Sequence, residues 1–201
     1  MGEGVINKRV GEFTKQIDIT QTIIIFLVSL LVPTFLGEIL KGTFATNSVV
    51  VTNSQIIIGS IVNTALIMAA LNLKGWKKII GVVTMPSIAT ILGGYVFKTA
   101  SVYMVYMIPA IWAGNLALVY SFKLIMLAKQ KNYFLAGILG IAVKVAVIFG
   151  CFSILKAFGI FPNKLVSTLQ VAMGSTQATT ATIGMIIAFG IYKIENLKLN
   201  K

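Results

Sequence analysis

Lys144 stands inside the apolar run Phe134–Phe158, where a charged side chain costs at least about 2.5–3.5 kcal/mol on insertion scales. It comes about ten residues into that run, roughly 15 Å from its start at 1.5 Å per residue, too deep for its stem to carry the charge to water. Gly137, Gly140, Ile148 and Cys151 share its helical face, so the surfaces beside the ammonium are small. The pattern predicts an inward polar cavity. Two roles remain open for the ammonium: anchoring a carboxylate, phosphate or carbonyl of a ligand, or pairing internally with Glu38 or with loop carbonyls.

Four uncharged amides add to this set: Asn63, Asn115, Gln170 and Gln177. Each costs free energy in an apolar medium unless it is hydrogen-bonded, so each is expected to face protein. Gln170 and Gln177 are seven residues apart with Gly174 between them, which on one continuous helix places both amides on one face beside an accessible backbone. The neighbouring hydroxyl-rich stretch from Gly174 to Thr182 fits either a polar lining or close helix packing. Trp112 shares a face with Asn115, an arrangement suited to orienting a flat heterocycle; Tyr103 and Tyr106 fit either a pocket or an interfacial aromatic belt.

Much other chemistry is excluded. The chain has no histidine, five acidic residues (Glu3, Glu12, Asp18, Glu38 and Glu195) and the single Cys151. Histidine metal sites, histidine-assisted nucleophiles and carboxylate clusters cannot be assembled from this set. No cofactor, no metal and no enzymatic activity are expected.

The elements that must position these groups follow from composition. Of 201 residues, 57% are hydrophobic and 11% charged, with mean hydropathy +0.93, against roughly 25% charged in an average soluble domain. Apolar runs fall at Ile19–Leu40, Ser54–Leu73, Ile79–Phe97, Val102–Ala128, Phe134–Phe158 and Leu165–Tyr192, each near the roughly 20 residues that cross a bilayer. The expected fold is an all-α integral membrane bundle of six transmembrane helices, with an N-terminal segment 1–18, a transmembrane domain 19–192 and a tail 193–201. The first apolar run lacks a small-residue cleavage site and reads as a retained span. The polar stretch Lys41–Asn53 suits a cover over a site, and Pro33, Pro86 and Pro109 mark local kinks.

Twelve basic residues flank one set of helix ends (Lys8, Arg9, Lys15, Lys74, Lys77, Lys78, Lys123, Lys129, Lys131, Lys193, Lys198, Lys201), against Lys41, Lys98, Lys156 and Lys164 on the other. By the positive-inside rule both termini are expected in the cytoplasm. The same rule accounts for the net charge of +12 without a nucleic-acid partner. No convincing internal repeat relates the two halves, which argues against an autonomous alternating-access transporter.

The third and fourth runs read Gly81-Val82-Val83-Thr84-Met85-Pro86-Ser87-Ile88-Ala89, then Gly93-Gly94, then Met107-Ile108-Pro109-Ala110-Ile111-Trp112-Ala113-Gly114-Asn115. This resembles the substrate-binding S components of energy-coupling factor (ECF) transporters, whose third span carries a Gly-x-x-Thr-Pro-like pattern. The resemblance implies a multi-pass protein of a bacterial cytoplasmic membrane that captures a small water-soluble vitamin or related micronutrient from outside. Its implied partners are a transmembrane coupling protein and two cytoplasmic ABC ATPases. It also implies a pocket at Tyr106, Trp112, Asn115, Lys144, Cys151 and Gln170, with Gln177 deeper and Asn63 added as a buried amide of the second span. The docking surface that many family members build from Ala-x-x-x-Ala on the first span here reads Ser29-x-x-x-Pro33-x-x-x-Gly37. The rival readings are a small scaffold or oligomeric pore whose polar residues serve helix packing, and a lipid-modifying transferase, for which Glu38 and Lys144 are meagre acid–base equipment.

Overall fold

The computed structural model describes residues 18–45, 48–93 and 101–199. Among them every regular element is helical. We label α1 Asp18–Thr43, α2 Ser54–Asn72, α3 Trp76–Gly93, α4 Val102–Ala128, α5 Tyr133–Ala157, α6 Asn163–Met173 and α7 Ser175–Leu199. Four of these, α1, α2, α4 and α5, are long and apolar enough to cross a membrane. Polar residues dilute the other two long helices: Lys77, Lys78 and Thr84 in α3, and the hydroxyl run at the start of α7. Of the expected segments, 1–17, the end of the third run from Gly94 to Phe97, Lys98 and residues 200–201 lie outside the described residues. The expected tail boundary at residue 193 falls inside α7, which continues to Leu199.

Three polar contacts mark one end of the bundle, here called basal. Asp18 at the start of α1 pairs with Lys78 of α3. Asn72 at the end of α2 donates to Glu195 of α7 at 3.2 Å. Lys123 of α4 donates to the Leu73 carbonyl at 3.0 Å, placing a cation at the partially negative C-terminus of α2.

The core is organised around α2, whose residues Val62 through Ala70 are all buried. Its most extensive partner is α7. The two backbones approach closely because Gly184 has no side chain: a Cβ there would lie 2.9 Å from both the Ser60 carbonyl oxygen and the Thr64 nitrogen. Thr64 Oγ1 lies 3.3 Å from the Gly184 carbonyl as a hydrogen-bond donor across the same contact. Small residues with hydroxyls between them are how apolar helices gain van der Waals contact without a hydrophobic driving force. A second tight pair joins α4 to α5, where Gly114 lies against Ile148 and the Lys144 carbonyl.

The expected sixth span, Leu165–Tyr192, is corrected to two helices that meet at Gly174. That residue leaves the helical conformation at φ −104°, ψ −97°. The segment before it is amphipathic: Leu169, Ala172 and Met173 are buried, whereas Asn163, Lys164, Ser167 and Thr168 are exposed. Only the part from Ser175 onward forms the long helix against α2.

Two of the prolines act as expected on local winding. Pro33 has no N–H for the Ser29 carbonyl, and Val32–Leu36 form a π-helical turn around it. Pro109 likewise cannot donate to the Val105 carbonyl. The Ile108 N–H takes that acceptor instead, and Val105–Met107 tighten into a 3₁₀ turn within α4.

Candidate functional site

Six helices converge on a cavity of about 90 Å³ in the half of the bundle away from the basal end, with Pro33 from α1, Asn63 from α2, Ser87 from α3, Asn115 from α4, Lys144 from α5 and Gln177 from α7 on its wall. Ile58, Met104 and Ile111 complete it with apolar surface. A void needs roughly 10–15 Å³ to hold one water, so this one accommodates several waters or a compact molecule.

Lys144 comes from the middle of α5 and is 2% exposed. Its Nζ donates to Asn63 Oδ1 at 2.5 Å. The amide is oriented by its other contacts: Asn63 Nδ2 donates to the Gly59 carbonyl at 2.8 Å and to Thr180 Oγ1 at 3.2 Å. Both of these acceptors need the NH₂ side of the amide, which leaves the oxygen toward the ammonium. A Cβ on Gly59 would come within 2.8 Å of the Thr180 methyl, so glycine there lets α7 bring Thr180 to the amide. The result is a chain from α7 through α2 to α5.

The alternative role for Lys144, a pair with Glu38, is not formed. Glu38 faces outward on α1 and pairs with Lys41 one turn on, at 3.7 Å. Asp18 and Glu195 are held at the basal end by Lys78 and Asn72. None of the described cavity-lining residues is acidic. The ammonium is therefore met by an amide dipole, which offsets less of its desolvation than a carboxylate does.

Two further polar groups are poorly satisfied. Asn115 Nδ2 reaches the Val83 carbonyl only at 3.5 Å, next to the Val82 carbonyl that Pro86 leaves without its usual donor. Ser87 is 6% exposed and its Oγ has no partner among the described residues. A buried hydroxyl without a partner carries a penalty of about 1–3 kcal/mol, which a ligand contact removes.

Of the eight ligand-site residues expected from sequence, Asn63, Asn115, Lys144 and Gln177 line this cavity. The others do not. Tyr106 is 55% exposed. Trp112 is partly buried, with its indole Nε1 enclosed and lacking an acceptor among the described residues. Cys151 is a partly buried thiol packed beside Ile148 and Phe152 in an apolar cluster. Gln170 is separated from Gln177 by the break at Gly174, lies exposed on α6, and accepts from Lys156 at 3.4 Å. The expected shared face of the two glutamines is thus corrected, because it required one unbroken helix.

The expected docking face on α1 is corrected too. Ser29, Pro33 and Gly37 are buried against the rest of the bundle, and Pro33 reaches the cavity. A partner cannot touch them in this arrangement. The outward face of α1 is instead Ile23, Leu27, Leu31 and Phe35. Thr176 and Thr180 of the hydroxyl-rich stretch also line the cavity. Sequence reasoning did not single out Gln55 or Ser87, which line it too; the proline directly before Ser87 was the available signal for that residue.

Comparison with known proteins found no matching family model, no matching curated protein and no matching solved structure.

Proposed function

We propose that the chain is a membrane-embedded binding subunit that captures a small water-soluble nutrient for uptake, in the manner of an ECF-type S component. In this reading all six long helices cross a bacterial cell membrane, both termini lie in the cytoplasm and the cavity opens from the outer half. A transmembrane coupling protein and two ABC ATPases supply the energy.

The observation that carries the reading is the buried Lys144 ammonium on the wall of a central cavity, partnered by Asn63 alone among the described residues. A helix-packing role gives a buried cation no reason to border empty space. A ligand does, because its polar atoms complete the hydrogen bonds and displace the waters.

The deciding experiment is mass spectrometry of the proteins that co-purify with the tagged chain from native membranes in mild detergent. The expected set is one polytopic membrane protein and two ABC ATPases. Recovery of the chain with copies of itself only would replace this reading with a scaffold or pore.

A further inference from the structure

The charge balance of the cavity narrows the chemistry of what it holds; this step rests on the binding-subunit reading above. An ammonium has three N–H donors, and in Lys144 one is taken by Asn63 Oδ1. Two remain without a partner among the described residues, on the wall of a cavity whose described lining contains no carboxylate and no second lysine or arginine. Ser87 contributes a buried hydroxyl that has no partner among the described residues. From Lys144 and Ser87 the site thus offers one positive charge, two further N–H donors and one O–H without partners among the described residues.

We infer that the ligand is a compact organic monocarboxylate. Its carboxylate accepts from the two remaining donors of Lys144 and from Ser87 Oγ, and its carbon body lies against Ile58, Met104 and Ile111. One negative charge neutralises the single cation. A phosphate dianion leaves an excess negative charge, with no other cation among the described lining residues, and a neutral carbonyl leaves the ammonium uncompensated; both conditions are costly in a low-dielectric interior. The amides of Asn115 and Gln177 are placed to read further polar atoms on the body. The volume of about 90 Å³ favours a small ring or short chain over a dinucleotide-sized molecule.

Two measurements on the full chain in detergent test this. The first identifies, by mass spectrometry, the small molecule released on denaturing protein purified from native membranes; a monocarboxylic acid is expected. The second measures thermal stabilisation by a panel of small acids, each beside its primary amide (benzoate and benzamide, hexanoate and hexanamide), with inorganic phosphate alongside. At least one acid should bind about tenfold or more tighter than its amide, the ratio expected when a charge-assisted hydrogen bond becomes a neutral one. Phosphate should give no shift. Lys144→Met should abolish the preference for acid over amide, and Lys144→Arg should retain part of it. Should Lys144→Met fail to fold, the ratio in the unaltered protein decides alone.

Equal affinity for acids and amides, or release of a neutral or dianionic molecule, overturns the monocarboxylate assignment and leaves the binding subunit standing. Release of no molecule together with no response to any compound overturns both.

Discussion

The side-chain oxygen of Asn63 lies 2.5 Å from Lys144 Nζ, so the central helix of the bundle supplies the acceptor for a cation rooted on α5. The position of that oxygen depends in turn on Thr180 of α7 and on the Gly59 carbonyl. The ammonium is thereby set by three helices at once.

Removing the charge and removing its partner should have opposite consequences. Lys144→Met keeps side-chain length and deletes a buried ion, so the fold should survive with little loss of stability while the tighter binding of the acid is lost. Asn63→Leu leaves the ammonium alone in the core and should cost about 3–5 kcal/mol. Thermal unfolding of both variants in the same detergent checks the order; a more stable Asn63→Leu than Lys144→Met would refute the charge argument.

The α2–α7 contact makes a steric prediction. Gly184→Val forces a side chain into the Ser60 carbonyl and Thr64 nitrogen, which should destabilise by about 1–3 kcal/mol or more. Gly150→Ala on α5 meets nothing within 4 Å and should lie within about 0.5 kcal/mol of the parent. Equal unfolding temperatures for the two variants would contradict the tight approach.

The two glutamines should separate. Gln177→Leu removes an amide from the cavity wall and should weaken ligand binding by about 1 kcal/mol, roughly fivefold. Gln170→Leu alters an exposed contact with Lys156 and should leave affinity unchanged. Titration calorimetry with the identified ligand distinguishes this from one continuous sixth span, in which both changes would weaken binding.

Ser29 provides a test of the inward face of α1. Its hydroxyl is fully buried and has no partner among the described residues, so Ser29→Ala should raise stability by about 1 kcal/mol. If the proposed coupling partners exist, their co-purification should be unaffected, because the buried side chain is out of their reach. Loss of partners in this variant would show that α1 turns over during docking.

The apolar runs made the helices legible because each exceeds any ordinary loop in length and hydropathy. Lys144, Asn63 and Asn115 were legible for a related reason: a charge or amide within such a run is expensive enough to imply a burial site. The break at Gly174 was hidden by Val171, Ala172 and Met173, which read as a span although they belong to an amphipathic helix with one exposed side. Ser87 was hidden by the frugality of hydroxyls. Thr182 and Ser153 each satisfy theirs on the carbonyl four residues back, so a serine or threonine in a helix announces no tertiary partner. Trp112 and Cys151 had suitable chemistry, but which way a side chain turns on an almost uniformly apolar helix is settled by packing, which sequence spacing alone does not encode.

The pairing of α2 with α7 also sets a schedule for biogenesis. Asn63 and Thr64 find their long-range partners 117 and 120 residues later in the chain. Until α7 has been synthesised, the middle of α2 has an unfilled groove at Gly59 and amide and hydroxyl groups without their final partners. Premature termination anywhere between α2 and α7 would leave this polar seam of α2 open, with Asn63 and Thr64 lacking the partners that α7 supplies.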